Sequence, residues 1–210
     1  MQKLTSLVRQ GAVGKIEYME YEVIRTQPSV AVDGDGTKNW RLDPSMAGGG
    51  ILVDHGWHAF YLVNEWAESI PMQVECKLEN RKFDTISVED TAEVIFDYSD
   101  LKARLFFTWA GTKRSNFILI RGDGGEIRVL DDTIIIQNNR GTEKIEYPEG
   151  LSAGSHHPEW YGLVLEELLA EMKNKSLMGR NFTEAANCFN LLDHCKKSSS
   201  LSMPVDVKHW

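Results

Sequence analysis

Alternation of apolar and polar residues predicts a long series of β-strands in the first three quarters of the chain. Successive strand-like runs are separated by turn residues, and Ser99-Asp100 and residues 122–125 join neighbouring runs at hairpin spacing. The predicted strands cover residues 15–25, 73–80, 91–98, 101–110, 116–121, 126–130, 133–137 and 142–147. The pattern therefore predicts about eight strands, arranged mostly as an antiparallel meander.

Several of these strands are apolar on both faces. Leu105 and Phe107 share one face of their strand while Phe106 lies on the other, and residues 117–120 and 134–136 are apolar throughout. An antiparallel sheet with one face in water alternates more cleanly. We therefore expect helices on one face and a second copy of the chain, as a homo-oligomer, on the other. Loops or a further domain covering that face are the alternative.

Apolar residues at helical spacing predict four helices. They cover residues 3–10, about 50–66, 160–173 and 183–197. Gly11 ends the first, and Thr183 caps the last, whose inner face is predicted to contain Ala186, Phe189 and Leu192 together with Cys188. Residues 198–200 are expected to fray, and residues 203–207 form a closing extended segment. The fold class is α+β, with a large, mostly antiparallel open sheet and helices on one face.

Composition excludes several classes of function. The net charge of −8 makes nucleic acid and anionic membranes poor partners. No apolar run approaches the roughly 20 residues of a membrane span, and the first residues lack the apolar core of a signal peptide. The three cysteines show no paired short spacing, which argues against a disulfide framework. These features predict a cytoplasmic protein.

The richest stretch for chemistry is residues 47–66. Three glycines, Gly48 to Gly50, precede an apolar segment that carries Asp54, His55 and His58. A glycine turn permits close approach of a ligand or another chain segment, and a helix start offers unpaired N–H groups to a polar or anionic ligand. If the segment is helical, Asp54 and His58 lie four residues apart on one face.

A carboxylate beside an imidazole is suited to proton transfer. Histidine titrates near neutral pH, and a neighbouring carboxylate fixes the tautomer of the ring and favours its charged form. Asp54 and His58 together therefore predict a general base for an alcohol proton. The alternative is that the pair only solvates one side of a helix. A metal site is the weaker interpretation, because Asp54 and His55 are adjacent and diverge by about 100° on a helix.

The stretch Gly48-Gly49-Gly50-Ile-Leu-Val-Asp54-His-Gly56-Trp-His58 resembles the GGG-x-x-x-D-x-G-x-H signature of the Gfo/Idh/MocA oxidoreductases. Residues 10–16 resemble the entry into the second domain of that family, and residues 89–92 resemble its E-D strand opening. Tyr61 departs from the signature, since the family often has Asp three residues after the histidine.

The resemblance implies a C-terminal domain of the kind found in glyceraldehyde-3-phosphate dehydrogenase. It also implies an NAD(P)-dependent oxidoreductase that interconverts an alcohol and a ketone on a sugar or polyol, with dimerisation through the open face of the sheet. His58 would accept the proton, and Asp54 would orient it. The remaining residues expected to contact substrate are Arg41, Gly49, Gly50 and His157. Arg41 in a surface ion pair and His157 in a helix cap are the alternatives.

The family's dinucleotide-binding domain is missing from these residues. No G-x-G-x-x-G follows a strand and precedes a helix, and residues 122–125 are interpreted as a hairpin turn. We expect residues 1–14 to be the remnant of an inter-domain helix and residues 15–210 to form the substrate-binding and oligomerisation domain. NAD or NADP would bind the complete protein but not this chain alone. A non-catalytic protein that binds a sugar or only oligomerises remains the rival hypothesis.

Overall fold

The computed structural model describes residues 1–30, 39–153 and 160–208. Within these ranges nine strands form one mostly antiparallel open sheet, one strand more than predicted, and the α+β fold class is confirmed. They are β1 (Ile16–Ile24), β2 (Gln73–Glu79), β3 (Thr91–Asp97), β4 (Lys102–Thr108), β5 (Ser115–Gly122), β6 (Gly125–Leu130), β7 (Thr133–Asn138), β8 (Gly141–Glu146) and β9 (Val205–Asp206). The ninth strand belongs to the segment predicted only as extended, and it pairs with β2.

The order of strands in the sheet differs from a simple meander. It is β8-β7-β6-β5-β1-β4-β3-β2-β9, so β1 lies between β4 and β5. β1 pairs in parallel with β4, where Tyr21 is opposite Leu105, and antiparallel with β5, where Tyr21 is opposite Ile118. The meander prediction was wrong at this point, because hairpin signals report only on neighbours in sequence and β1 enters from far upstream.

The helices of the described residues are α1 (Gln2–Arg9), α2 (Pro44–Ala47), α3 (Trp57–Ala67), α4 (Trp160–Lys173) and α5 (Arg180–Leu201), together with a 3₁₀ turn (Trp40–Leu42) and a π-helical turn (Leu52–Gly56). Among them, α3 packs on β1 and α5 packs on β2, so these two helices lie on one face of the sheet. Aromatic rings join α3 to the sheet: Phe60 lies 4.8 Å from Phe96, and Trp66 lies 6.4 Å from Tyr21. The Tyr98 hydroxyl also donates to Asn64 at 2.8 Å.

Serines near the end of α5 bind the edge of β2. The buried Ser198 hydroxyl accepts from the Cys76 amide at 2.9 Å, and the Ser199 hydroxyl accepts from the Leu78 amide at 3.0 Å. β9 pairs with Gln73 and Val74 of β2, so the serine hydroxyls satisfy the amides of the later β2 residues that β9 does not reach. The prediction that residues 198–200 fray was therefore wrong, since tertiary hydrogen bonds extend the helix to Leu201.

Two details of the α5 prediction also failed. The helix begins after Gly179, and the Thr183 hydroxyl donates to the Gly179 carbonyl from within the first turn rather than capping it. Phe189 is 63% exposed, although the predicted inner-face residues Cys188 and Leu192 are buried, together with Leu191 and Cys195. Helical spacing fixes which residues share a face, but tertiary packing decides which face turns inward.

The apolar residues of α4 are largely exposed. Its bounds agree with the prediction, but its aliphatic side chains at helical spacing, Leu163, Val164, Leu168 and Met172, are all at least 46% exposed.

The opposite face of the sheet mixes an ion-pair cluster with apolar residues. Arg104 bonds Glu20 at 2.6 Å and Glu93 at 2.8 Å, with Glu22 at 3.2 Å. Around the cluster lie apolar side chains of the same face, namely Ile95, Phe106, Phe117, Leu119 and Leu130. We call this surface the open face.

The glycine turn and the π-helical turn lie beside the ends of the central strands, where β3 starts and β4 stops. The Ile51 amide donates to the Glu89 carbonyl at 3.1 Å, just before β3, and the π-helical turn packs on β4. The Arg25 amide donates to the Thr108 carbonyl at 2.7 Å, which places the end of β1 beside the same strand ends. No helix within the described ranges is long and apolar enough to cross a membrane.

Candidate active site at the glycine turn

The glycine turn is held by Glu89 from the sheet. Gly48 ends α2 with φ +78°, a conformation that favours glycine. One Glu89 carboxylate oxygen accepts from the amides of Gly50 at 2.9 Å and Leu52 at 3.1 Å. The expectation that these amides are free for an anionic ligand was wrong, because a side-chain carboxylate already occupies the helix start.

Close chain packing explains why residue 50 is glycine. A Cβ at Gly50 would lie 1.9 Å from the Glu89 carbonyl oxygen, and at Gly49 it would lie 2.7 Å from a Val53 methyl group. Real Cβ atoms do not approach backbone this closely. The absence of a side chain at Gly50 thus serves the contact with Glu89, and the predicted substrate contacts of Gly49 and Gly50 stay predictions.

Asp54 is the centre of the polar cluster. Its carboxylate bonds the Arg41 guanidinium at 2.5 Å, and its other oxygen lies 3.6 Å from Nε2 of His55. The carboxylate is largely buried, with 15% of its side chain exposed. Three residues from two segments therefore meet here, and the predicted site residues Arg41 and Asp54 are in direct contact.

His58 lies on α3 one turn further along, and its side chain is exposed. Among the described residues, no hydrogen bond joins it to Asp54. Asp54 is in the π-helical turn, where the wider spacing changes the relation between residues four apart. The orienting role of Asp54 towards His58 stays a prediction, and the imidazole is accessible to a ligand.

His55 is held neutral by its surroundings. Burial lowers the pKa of this imidazole to about 4; Asp54 opposes the shift, while the charges of Arg25, His58 and Arg114 add to it. At neutral pH the ring therefore has one N–H donor and one acceptor nitrogen. Sequence reasoning considered His55 only as a metal ligand, because adjacent helical residues diverge, yet the side chains of Asp54 and His55 meet.

Arg41 has one unsatisfied donor. Its Nε is buried and makes no hydrogen bond within the part of the chain that the structure describes. Its guanidinium lies 4.9 Å from the centre of the Trp40 ring, a cation–π contact, while Nη1 binds Asp54. The group is thus positioned by Asp54 and Trp40, beside the glycine turn.

The E-D pair after residue 88 stabilises two different segments. Glu89 caps the glycine turn, and Asp90 accepts from the amides of Arg81, Lys82 and Phe83 and from the Thr91 hydroxyl. Burial raises the pKa of Asp90, but these hydrogen bonds outweigh it and hold the pKa below its usual value. The sequence showed the motif but not which segments it would join.

Other predicted site residues lie outside the described ranges or away from the Asp54 cluster. His157 and residues 31–38 of the predicted loop fall outside the described ranges. The described part of the chain has no group of three His, Cys, Asp or Glu side chains placed to hold a metal. A cavity of about 600 Å³ between α1 and α4 is lined by Leu4, Val129 and Leu163 among others, but not by Asp54, His55 or His58.

Sequence and structure comparisons identify related proteins. A sequence model described as the GFO/IDH/MocA C-terminal domain matches residues 1–128. No curated protein sequence matches the chain significantly. Levoglucosan dehydrogenase in its apo form is similar, with a TM-score of 0.77 and 14% identity over 98% of this chain and 63% of that one.

Two ligand-bound structures are also similar. Levoglucosan dehydrogenase in complex with NADH and levoglucosan has a TM-score of 0.74 and 16% identity, over 98% of this chain and 62% of that one. An oxidoreductase from Agrobacterium radiobacter in complex with NAD⁺, L-tartaric acid and magnesium has a TM-score of 0.68 and 16% identity, over 98% and 61%.

The chain spans less than two thirds of each of these structures, and likeness at such identity establishes the fold. The family match covers more than half of the 210 residues. The chain therefore belongs to the GFO/IDH/MocA family and carries the C-terminal domain of that family.

Proposed function

We propose that this chain is the substrate-binding part of an NAD(P)-dependent oxidoreductase that interconverts an alcohol and a ketone on a sugar or polyol. The observation that carries the proposal is the cluster in which Asp54 contacts Arg41 and His55 beside the exposed His58. Oxidoreductases solved with NADH or NAD⁺ and with levoglucosan or L-sorbose share the fold and support this assignment.

The proposed chemistry of these residues is proton transfer. His58 accepts the hydroxyl proton of the substrate alcohol, since its imidazole is exposed and lies one turn beyond Asp54. The Asp54 carboxylate stabilises the resulting imidazolium, and Arg41 fixes the carboxylate in place. Neutral His55 offers a further hydrogen bond to a substrate hydroxyl.

The glycine turn at residues 122–125 does not fit the pyrophosphate of a dinucleotide. In the dinucleotide-binding fold, the pyrophosphate binds at a glycine turn between a strand and a helix. The turn that contains Gly124 joins β5 to β6, and added Cβ atoms at Gly122 and Gly124 would lie within about 3 Å of Val13 backbone atoms. We therefore assign the nicotinamide cofactor to a domain outside these 210 residues and assign no hydride step to this chain.

The test of this function is turnover by the complete enzyme with His58 replaced. Loss of turnover in a folded variant supports the proton-accepting role. Unchanged turnover removes that role and favours the rival hypothesis, a sugar-binding or oligomerisation protein without catalysis.

We also propose that the open face pairs with a second copy of the chain. Leu130, opposite Phe117, is 45% exposed there, and Ile95 is 37% exposed beside the Arg104 ion pairs. Such a mixed surface suits a dimer interface, because neighbouring ion pairs satisfy its charges while the apolar residues are buried.

Light scattering tests the dimer. We expect twice the 23.8 kDa chain mass. Leu130→Glu should raise the concentration for half-dissociation at least about tenfold, since it places a charge in the interface. Met72→Glu is the matched control, because Met72 is also exposed but lies on the other face of the sheet. It precedes β2 by one residue and follows the same alternation as Val74, whose side chain is buried on the helix-covered face. A monomeric parent chain contradicts the proposal.

A further inference from the structure

Arg25, which follows β1, is a buried cation that forms no ion pair with any described residue. Only 8% of the residue is exposed, and no carboxylate of a described residue lies within 4.0 Å of it. Its guanidinium donates to three neutral oxygens: the Ile24 carbonyl at 2.9 Å, the Ser115 carbonyl at 3.2 Å and the Asn116 side chain at 3.3 Å. Buried charges in proteins are ordinarily paired, so this one is short of a counter-charge.

The nearest acid beyond Asn116 is engaged elsewhere. The Asn116 amide stands between Arg25 and Asp131, accepting from the first at 3.3 Å and donating to the second at 3.3 Å. The oxygens of Asp131 also accept from the amide and hydroxyl of Ser152, at 2.8 and 2.7 Å. Asp131 therefore acts on Arg25 only at a distance, through its charge.

A second arginine lies next to Arg25. Ile24 at the end of β1 pairs with Ser115 at the start of β5, so Arg25 and Arg114 lie next to this pair at the same end of the two strands. Burial lowers the pKa of Arg25, and the charge of Arg114 lowers it further. Arg114 is exposed, and its Nε donates to the Ser152 carbonyl at 3.0 Å, while its terminal nitrogens make no hydrogen bond with a described residue.

Both arginines lie at the end of the sheet that carries the candidate active site, because the Arg25 amide donates to the Thr108 carbonyl at 2.7 Å at the end of β4, and the π-helical turn with Asp54 and His55 packs on β4. Their charges each lower the pKa of His55, which lies 3.6 Å from Asp54. The Asp54 carboxylate acts on Arg25 only at a distance, through its charge, because Arg41 binds it directly at 2.5 Å. An excess of positive charge thus borders the surface on which the substrate would lie against His55 and His58.

From this arrangement we infer that Arg25 and Arg114 bind an anionic group of the substrate, so that the chain selects an acidic sugar over a neutral one. The group is a carboxylate or a phosphate, since a planar guanidinium binds either through paired hydrogen bonds. The inference rests on the proposed function for the location of the substrate, and it narrows the substrate class.

Calorimetry on the 210-residue chain tests the inference. The probes are D-gluconate and D-glucuronate for the carboxylate, D-glucose 6-phosphate for the phosphate, and D-glucose and sorbitol as neutral controls. We expect at least one anion to bind about tenfold or more tightly than both neutral probes. Raising the salt concentration should weaken the binding of the anionic probe and leave the binding of the neutral probes unchanged.

Variants assign the preference to the arginines. Arg114→Gln should weaken the favoured anion about tenfold or more and leave the neutral probes unchanged. Arg25→Gln should act in the same direction, and its melting curve shows whether the fold is kept. Arg140→Gln is the matched control, because this exposed arginine lies in the β7–β8 turn, at the strand ends opposite those of Arg25 and Arg114.

The outcomes separate this inference from the proposed function. Equal binding of anionic and neutral probes, binding of neither anion, or an Arg114→Gln variant with unchanged affinity each overturns the inference. Binding of neutral polyols alone overturns it while leaving the proposed function in place. Loss of catalysis on replacement of His58 addresses only the proposed function.

Discussion

Replacement of His58 by alanine in the complete enzyme is expected to lower kcat about 10²–10⁴-fold, the usual contribution of a positioned general base. The side chain is exposed and makes no hydrogen bond with the described residues, so its loss leaves the core intact. The free energy of unfolding should therefore change by less than about 0.5 kcal/mol. Steady-state kinetics and urea unfolding of the same preparation measure both effects.

A second histidine provides the control. His194 lies on α5, where Nδ1 contacts the Asn190 carbonyl at 2.8 Å and Nε2 accepts from the Lys208 amide at 3.4 Å. His194→Ala should leave kcat within about twofold of the parent, because it removes an imidazole from a structural position rather than from the proposed active site. Equal losses in the two variants would contradict the assignment of His58 as the proton acceptor.

Gly50→Ala is expected to destabilise the chain by about 3 kcal/mol or more. The new Cβ would lie 1.9 Å from the Glu89 carbonyl oxygen, so one backbone segment must move. That movement also disrupts the hydrogen bonds from the amides of Gly50 and Ile51 to Glu89. Urea unfolding of the chain alone measures the change in free energy.

Gly162→Ala is the matched control for this substitution. A Cβ at Gly162, within α4, meets no atom within 4 Å, so alanine should stabilise the chain by up to about 1 kcal/mol through helix propensity. A Gly50→Ala variant as stable as the parent would mean that the glycine serves a ligand rather than the contact with Glu89.

The fold was predictable where the signal is local. Alternation and turn residues gave the strands from β2 to β8 to within a few residues, and the glycine-histidine motif located the candidate site. The insertion of β1 between β4 and β5 was not predictable, because pairing of distant strands leaves no periodic trace in either one. The resemblance to a known family predicted the sheet and its covering helices.

The electrostatics of the site were hidden for a similar reason. Glu89 lies 39 residues from Gly50, and Arg25 lies 30 residues from His55, so neither relation has a spacing that helix or strand geometry would reveal. The π-helical turn also altered the i,i+4 geometry on which the pairing of Asp54 with His58 was predicted. A sequence motif names the reactive groups, while the tertiary fold determines their partners.

We propose that these 210 residues form the substrate side of an oxidoreductase site whose dinucleotide is bound by another domain. Calorimetric titration of the folded chain with NADH and with NADPH tests it most directly. We expect no saturable heat with either dinucleotide, because the glycine turn between β5 and β6 packs on the chain itself. Tight, saturable binding of either one would contradict it.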